Sequence, residues 1–525
     1  MRAGNLAGVV LVAALAACPK SQATRTPAGE AIDVVELDAG EAQRRMTAGS
    51  LSAVALTRAY LARIAAVDDA GPKLAAVIEV NPEAEAEALQ RDRERAEGRV
   101  RGPLHGIPIL IKDNIEVAGM VTSVGSLAMA EHRPREDAFL IKRLRAAGAV
   151  ILGKTNLSEW ANFRGLDSTS GWSSRGGQTK NPYVLDRSPC GSSSGTGAAI
   201  AASLGALGVG TETDGSILCP AALTGLVGLK PTVGLISRAG IVPISESQDT
   251  AGPMTRTVTE AALLLAAMVG QDAEDPRSQR VGGRAVDYVA GLRTDALKGQ
   301  RIGVLRQAMG GARAVDAVTE RAIAALRAAG AEVVDPVEIT TWEQWGAAEF
   351  EVLLFEFKDG MNRHLSRGAP VSSLAELIAW NERHADAVMR WFGQQILEQA
   401  QAKGGLDAPE YRAARDTARR LAWDEGLKAT LERHALVAVV APTTSAPAWP
   451  IDPVLGDRVA GVGYGAAAVA GTPSLTVPMG EVHGLPVGLA FLGAPESEAT
   501  LLALGYAFEQ ATKARRAPRF VRTLE

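Results

Sequence analysis

The sequence predicts an α/β protein, and three observations carry that prediction. Residues 301–336 read strand, helix, strand: Ile302–Leu305, then Val318–Ala328, then Val333–Val334, a βαβ-like alternation. Ile107–Ile111 is an apolar, largely β-branched run too short for a helix, so it reads as a buried strand. At 525 residues and 47% hydrophobic, the chain has material for one large core, and α/β enzymes of this length often form a single unit.

The N-terminus is expected to stand outside the fold. Arg2 precedes an apolar run from Leu6 to Leu15, then small residues and Cys18, the pattern of an export signal. The run is too short for a comfortable membrane span. Leu15-Ala16-Ala17-Cys18 resembles a bacterial lipobox, in which the cysteine is lipidated and becomes the mature N-terminus. The expected organisation is a signal peptide over 1–17, a polar tether over 18–30 and one folded domain over 31–525. The protein is expected to be exported to the cell envelope or periplasm, anchored there by lipid on Cys18.

Residues 31–70 read as helix, with Leu51, Val54, Leu56, Leu61 and Ile64 near a 3.6-residue period that breaks at Gly71-Pro72. A short apolar run, Leu74–Val80, follows. Glu83–Gly98 reads as a charged helix with a solvated face, not a carboxylate site. The strand Ile107–Ile111 delivers Lys112 at its C-terminal end, and a buried lysine is rare unless paired or functional. Asp137–Ala147 reads as helix and Ala149–Leu152 as strand. Thr155–Ser188 is long, irregular and rich in Gly, Ser and Asn, and such segments in compact domains are usually functional. Ala198–Leu204 reads as helix, Leu207–Val209 as a brief strand, Leu223–Gly240 as Gly- and Pro-punctuated chain, and Val258–Val269 as an amphipathic helix. Residues 342–433 read as mostly helical and as a cover for one side of the sheet. Leu436–Val440 and Val487–Leu492 read as strands, and Glu496–Ala511 as a closing helix.

Two Gly/Ser-rich turns, Ser188–Gly197 and Gly210–Ile217, flank one helix and one strand. A serine hydroxyl becomes a useful nucleophile only when a base takes its proton. Six histidines are available and none lies in a serine turn. Lysine can serve instead if burial lowers its pKa, and Lys112 meets that requirement. The glycines let backbone approach a reacting carbonyl, and consecutive N–H groups around Thr213–Ser216 can face a developing oxyanion.

Other chemistries fit less well. Gly191-Ser192-Ser193-Ser194-Gly195 matches G-x-S-x-G with Ser193 central, but a loop-like stretch precedes it where that motif needs a strand. No Gly-Lys-Ser/Thr follows to make a phosphate loop. His105 reads as a packing residue in the turn before Lys112. A net charge of -4 and 4% aromatics argue against nucleic acid. No metal-ligand spacing is present, so no metal and no cofactor is expected. Cys190 and Cys219 flank the serine turns. Export would permit a disulfide, but the reading adopted is two small buried residues packing the floor of a site.

Gly102–Asn114, Lys154-Thr155-Asn156, Ser188–Ala198, Gly210–Pro220, Gly225–Gly234, Asp249–Arg256, Gly471–Pro478 and Gly484–Gly488 together resemble the amidase signature family. The resemblance runs over nearly the whole chain from about residue 30. It implies one three-layer α/β/α domain with a large mixed sheet. It also implies a catalytic triad of Lys112 as buried base, Ser192 as a bridge held by a cis peptide, and Ser216 as nucleophile. The oxyanion hole would be the backbone N–H groups of Thr213, Asp214, Gly215 and Ser216. Glu212, Asp214, Ser194 and Leu218 depart from the commonest family pattern. These variants, with the two cysteines, resemble the branch that releases ammonia from peptide C-terminal carboxamides. The implied substrate is a small-molecule or peptide amide. Two rivals on the same scaffold are the amide-transferring subunit of a tRNA-dependent amidotransferase, which needs partner subunits, and a non-catalytic envelope binding protein.

Overall fold

The computed structural model describes residues 1, 4, 32–281, 286–459 and 461–524. The expected signal peptide, the tether and Cys18 lie outside them. From Asp33 onward the chain forms one compact unit. Its strands are β1 (Val77–Val80), β2 (Pro108–Lys112), β3 (Val150–Thr155), β4 (Trp172–Ser173), β5 (Gly177–Gln178), β6 (Leu207–Glu212), β7 (Val227–Lys230), β8 (Thr250–Thr255), β9 (Arg301–Leu305), β10 (Glu332–Val337), β11 (Ala438–Pro442), β12 (Ser474–Val482) and β13 (Leu485–Leu492). Strands β4 and β5 form a separate small hairpin, and the other eleven make one sheet in the order β1-β3-β2-β6-β8-β7-β12-β13-β11-β9-β10.

The sheet is mixed. Strands β3, β2 and β6 run parallel, as do β11, β9 and β10. Between these two parallel blocks lie antiparallel pairings through β8, β7, β12 and β13. Helices flank the sheet. Ser194–Ala201 packs on β6 and β8, and Leu218–Leu223 on β7, β12 and β13. Val258–Met268 packs on β7 and β8, and Arg313–Ala328 and Glu498–Thr512 pack on β12. Parallel strands buried on both faces read as continuous apolar runs, and β2 and β3 are buried at every position.

Three expectations need correction. Residues 31–70 are not one helix but two, Ala39–Thr47 and Ala53–Arg63, extended by a π turn over Ile64–Asp69. The break has a local cause: Gly49 takes φ 73°, and the Ser52 side chain caps the second helix by accepting from the Ala55 N–H at 3.0 Å. Strands β7 and β8 were hidden by Gly and Pro, which normally mark a strand's end. At Gly252 in β8 the glycine is required by packing: an added Cβ would fall 2.1 Å from the Leu229 carbonyl oxygen of β7.

The third correction concerns residues 342–433. The long helix Gly346–Leu365 and its neighbours do not cover the sheet. They cluster with Val124, Met129, Leu157, Trp160 and Phe163, which belong to the loops beyond the strands. Those apolar side chains project from irregular chain and need a cover of their own. The helices therefore roof the irregular chain that follows β2 and β3.

Candidate functional site

The site forms at the C-terminal ends of parallel strands β2, β3 and β6, the usual location for ligands in such sheets. Lys112 ends β2 and is fully buried. Its Nζ lies 2.8 Å from Ser192 Oγ, 2.8 Å from Thr211 Oγ1 and 3.2 Å from the Thr211 carbonyl oxygen. Asn114 Nδ2 donates to the same Thr211 hydroxyl at 3.0 Å and so fixes it. Among the described residues, no carboxylate lies within salt-bridge distance of Lys112. Burial pushes its amine down to about 7, against the opposing pull of Asp249 and Glu212 farther off.

Ser192 follows a cis peptide bond from Gly191, and its side chain is buried. Ser192 and Ser216 face one small cavity, which Asn114, Thr211, Thr213 and Asp249 also line. One backbone bond ties the two turns together, the Ser193 N–H donating to the Ser216 carbonyl at 3.2 Å, and within the first turn Ser194 Oγ donates to the Cys190 carbonyl at 2.6 Å. The helix Ser194–Ala201 can approach β3 because residue 195 is glycine. A Cβ there would sit 2.3 Å from the Asn156 carbonyl oxygen and 2.4 Å from that of Ala76.

The turn after β6 is organised by Glu212. Its Oε2 accepts from the N–H groups of Ile217 at 2.7 Å and Leu218 at 2.9 Å, the start of the helix Leu218–Leu223. Burial raises the Glu212 pKa, and Lys230 and the backbone donors oppose that rise. The loop Thr213–Ser216 is thereby folded back on itself. Gly215 takes φ +77°, and a Cβ on it would fall 2.3 Å from the Tyr464 ring, so neither backbone nor space admits a side chain. Thr213 is tied down by its hydroxyl, which donates to Asp249 Oδ1 at 2.6 Å. The other Asp249 oxygen accepts from the Ile244 and Ser245 N–H groups.

Asp214 projects from this loop with part of its surface in solvent. Enclosure by the surrounding protein, then repulsion from Glu349 and Glu212, pushes its carboxyl well above the usual range. Glu349 on the roofing helix accepts from Gln248 Nε2 at 2.9 Å. The same amide reaches the Thr213 carbonyl at 3.3 Å. The helical roof is thus coupled directly to the loop.

The sequence reading placed Lys112, Ser192 and Ser216 together, and they share one site. It missed Thr211, Asn114, Asp249, Gln248 and Glu349. Thr211 had a signal, since it stands beside Glu212 at the end of a strand leading into the second turn. Glu349 had none, because only the roof brings it near.

The rival nucleophile Ser193 is occupied elsewhere. Its hydroxyl donates to the Thr211 carbonyl at 3.0 Å and accepts from the Thr211 N–H at 3.3 Å. His105 is buried, with Nε2 2.9 Å from the Arg91 carbonyl, and serves the turn before β2 as expected.

The cysteine reading is corrected. Cys190 and Cys219 form a disulfide with an S–S distance of 2.02 Å and Cα atoms 5.9 Å apart. Packing the two serine turns against each other brings the cysteines to bonding distance, although 29 residues separate them.

The comparisons agree with this architecture. Residues 55–502 match the family model described as Amidase. A peptide amidase from Stenotrophomonas maltophilia superposes with a TM-score of 0.89 at 56% identity, over 92% of this chain and 99% of that one. A probable amidase of Arabidopsis thaliana is 39% identical over 470 residues, 87% of this chain and 86% of that protein. One component of the glutamyl-tRNA(Gln) amidotransferase of Symbiobacterium thermophilum is 36% identical, over 91% of this chain and 97% of its own length. With its mixed, helix-flanked sheet and two apposed serine turns, the chain belongs to the amidase family and is an amide-hydrolysing enzyme.

Proposed function

We propose that this amidase hydrolyses carboxamides to acid and ammonia, with peptide C-terminal amides as its substrate class, through an acyl-enzyme on Ser216. The observation that carries the mechanism is the contact between Lys112 Nζ and Ser192 Oγ at 2.8 Å, made by an amine whose pKa is lowered to about 7. A neutral amine has two N–H donors and one lone pair. Its two protons suit the two Thr211 oxygens, which leaves the lone pair for the Ser192 hydroxyl proton. Ser192 can then accept the proton of Ser216 as Ser216 Oγ bonds to the amide carbon. The N–H groups of Thr213, Asp214, Gly215 and Ser216 would hold the oxygen that gains charge.

Collapse of the tetrahedral adduct breaks the C–N bond. The proton returns through Ser192 to the departing nitrogen, which leaves as ammonia. Water then adds to the acyl carbon, loses a proton along the same path, and frees the acid and the Ser216 hydroxyl. All proton transfers run between Lys112, Ser192, Ser216, the substrate and the attacking water, so no external acid is needed.

The peptide-amide preference is supported by the likeness to the Stenotrophomonas enzyme and by two unusual residues, Asp214 in the oxyanion loop and Leu218 at the head of the helix after it. A panel of small amides and peptide carboxamides, assayed for released ammonia, tests it. Faster release from peptide carboxamides is expected. Activity that appears only with added amidotransferase subunits would favour the transferase reading, and no release from any amide would favour a binding protein.

Export and lipid attachment at Cys18 belong to the same proposal. They are supported by the lipobox-like Leu15–Cys18 and by a disulfide that suits an oxidising compartment. Intact mass of the membrane-extracted protein tests them. A chain beginning at a lipidated Cys18 is expected, and a chain with any other N-terminus overturns the assignment.

A further inference from the structure

Beyond the serine turns, Glu116, His132 and His364 converge from three separate elements. Glu116 lies just past β2, His132 closes the turn after the short helix Leu127–Met129, and His364 stands in the last turn of Gly346–Leu365. Their ligand-capable atoms all lie within 4.8 Å of one another. Glu116 Oε1 is 3.6 Å from His364 Nε2 and 3.9 Å from His132 Nε2. Both separations are too long for hydrogen bonds, which run at about 2.7–3.2 Å. His132 Nε2 is buried and, among the described residues, has no hydrogen-bond partner. A buried ring nitrogen left unsatisfied is costly unless something else binds it.

The spacing fits a metal ion between the three groups. In a tetrahedral site with bonds of about 2.0–2.1 Å, neighbouring ligand atoms lie roughly 3.3 Å apart. The two Glu116 separations, 3.6 and 3.9 Å, lie near this value, and the two ring nitrogens, within 4.8 Å of each other, would close on an ion by side-chain rotation. Two imidazoles and a carboxylate are a donor set suited to Zn²⁺ and its neighbours, and unsuited to Ca²⁺ or Mg²⁺. Three protein ligands leave one position open, and here all three residues line a cavity of about 670 Å³. Arg133, Arg135, Lys142 and Arg367 line the same cavity and oppose a cation, whereas Glu136, Asp137, Asp272 and Glu274 favour one.

We propose that Glu116, His132 and His364 form a binding site for a divalent transition metal of the zinc type, separate from the catalytic serines. Such an ion would tie the roofing helix to the segment that leaves β2. The segment is already bridged to Ile241 through Ile115, and the Glu116 N–H donates to the Gly240 carbonyl at 2.8 Å. Asn114 in that segment holds the hydroxyl of Thr211 beside Lys112. The ion would therefore brace the outer wall of the catalytic site without touching it.

The test is a titration of tag-free, chelator-stripped protein with Zn²⁺, followed by calorimetry, and with Co²⁺, followed by its visible absorption. One equivalent per chain is expected, with the intense absorption of four-coordinate Co²⁺. His132→Ala and His364→Ala should each weaken binding at least 100-fold and abolish that absorption. Glu116→Gln, which keeps size and removes charge, should weaken binding at least 10-fold. Zn²⁺ should also raise the melting temperature of the parent protein and leave that of His132→Ala unchanged. Sub-stoichiometric binding, or equal binding by parent and variants, would overturn the assignment, because either result locates the metal elsewhere on the surface.

Discussion

Two lysines, one strand apart, meet burial in opposite ways. Lys112 on β2 and Lys154 on β3 are both fully buried, and the register pairs Ile111 with Lys154 and Lys112 with Thr155. Lys154 Nζ has Asp113 at 3.3 Å and donates to the carbonyls of Ile115 and Val121 and to Thr122 Oγ1. That is a site built for an ammonium ion. Lys112 has only hydroxyls and one carbonyl as near neighbours, with its carboxylates held back. Burial lowers the pKa of both, but beside Lys154 the carboxylate of Asp113 pushes back from direct contact. Of this pair, the lysine touched by a carboxylate is held as a structural cation, and the one kept clear of carboxylates is free to serve as a base.

Lys112→Met separates the two roles most clearly. It should cut kcat by about 10³-fold or more, the range for removal of a general base, with the fold retained by circular dichroism. Ser216→Ala should be at least as severe, and residual ammonia release near the parent rate would refute the covalent route. At Lys154 the expected damage is of the other kind. Lys154→Met leaves Asp113 buried with weakened compensation and should lower stability by about 3 kcal/mol, read from a denaturant midpoint. An active, stable Lys154→Met enzyme would erase the distinction.

The same contrast predicts a gain. A shift in the Lys112 pKa from 10.5 to about 7 corresponds to about 4–5 kcal/mol at neutral pH, on the order of what its removal can return. The hydroxyls left behind give back about 1 kcal/mol each. Lys112→Met should therefore unfold at a higher temperature than the parent at pH 7, as expected where a strained site is relieved.

The pH dependence follows with its sign. The folded-state pKa lies below the unfolded one, so between about pH 7 and 10.5 the folded chain binds fewer protons. The Lys112 contribution to stability thus rises with pH across that window and is least favourable below pH 7. Activity should follow the neutral amine: kcat/KM rises through about pH 7 and then levels, and Lys112→Met loses that limb. A smaller effect belongs to the crosslink. Replacing both Cys190 and Cys219 by Ser should cost about 2–4 kcal/mol of stability, seen as a lower melting temperature.

Much of the site was legible because its parts are local. The Lys112 strand announces itself by an apolar run, and each serine turn by clustered Gly and Ser within ten residues. What escaped the sequence depends on register or on distant chain. Thr211 matters because β2 and β6 pair in parallel with Ile111 opposite Val209, which no local pattern records. Strand β8 carries Gly252 and Pro253 in the middle of the sheet, and only the close approach of β7 explains the glycine. Glu349 and His364 lie on a helix whose sequence reads as sheet cover. The disulfide and the histidine–glutamate cluster join residues far apart in sequence, so neither has a spacing to read.

The bond between Cys190 and Cys219 spans the two turns that carry Ser192 and Ser216. In a reducing interior that tether stays open, and the hydroxyls keep their separation by packing and the Ser193–Ser216 backbone bond. Once the thiols are oxidised, the spacing becomes a matter of covalent chain length. Along the export route proposed above, a newly made copy and a mature one would differ in how firmly the reacting pair is held.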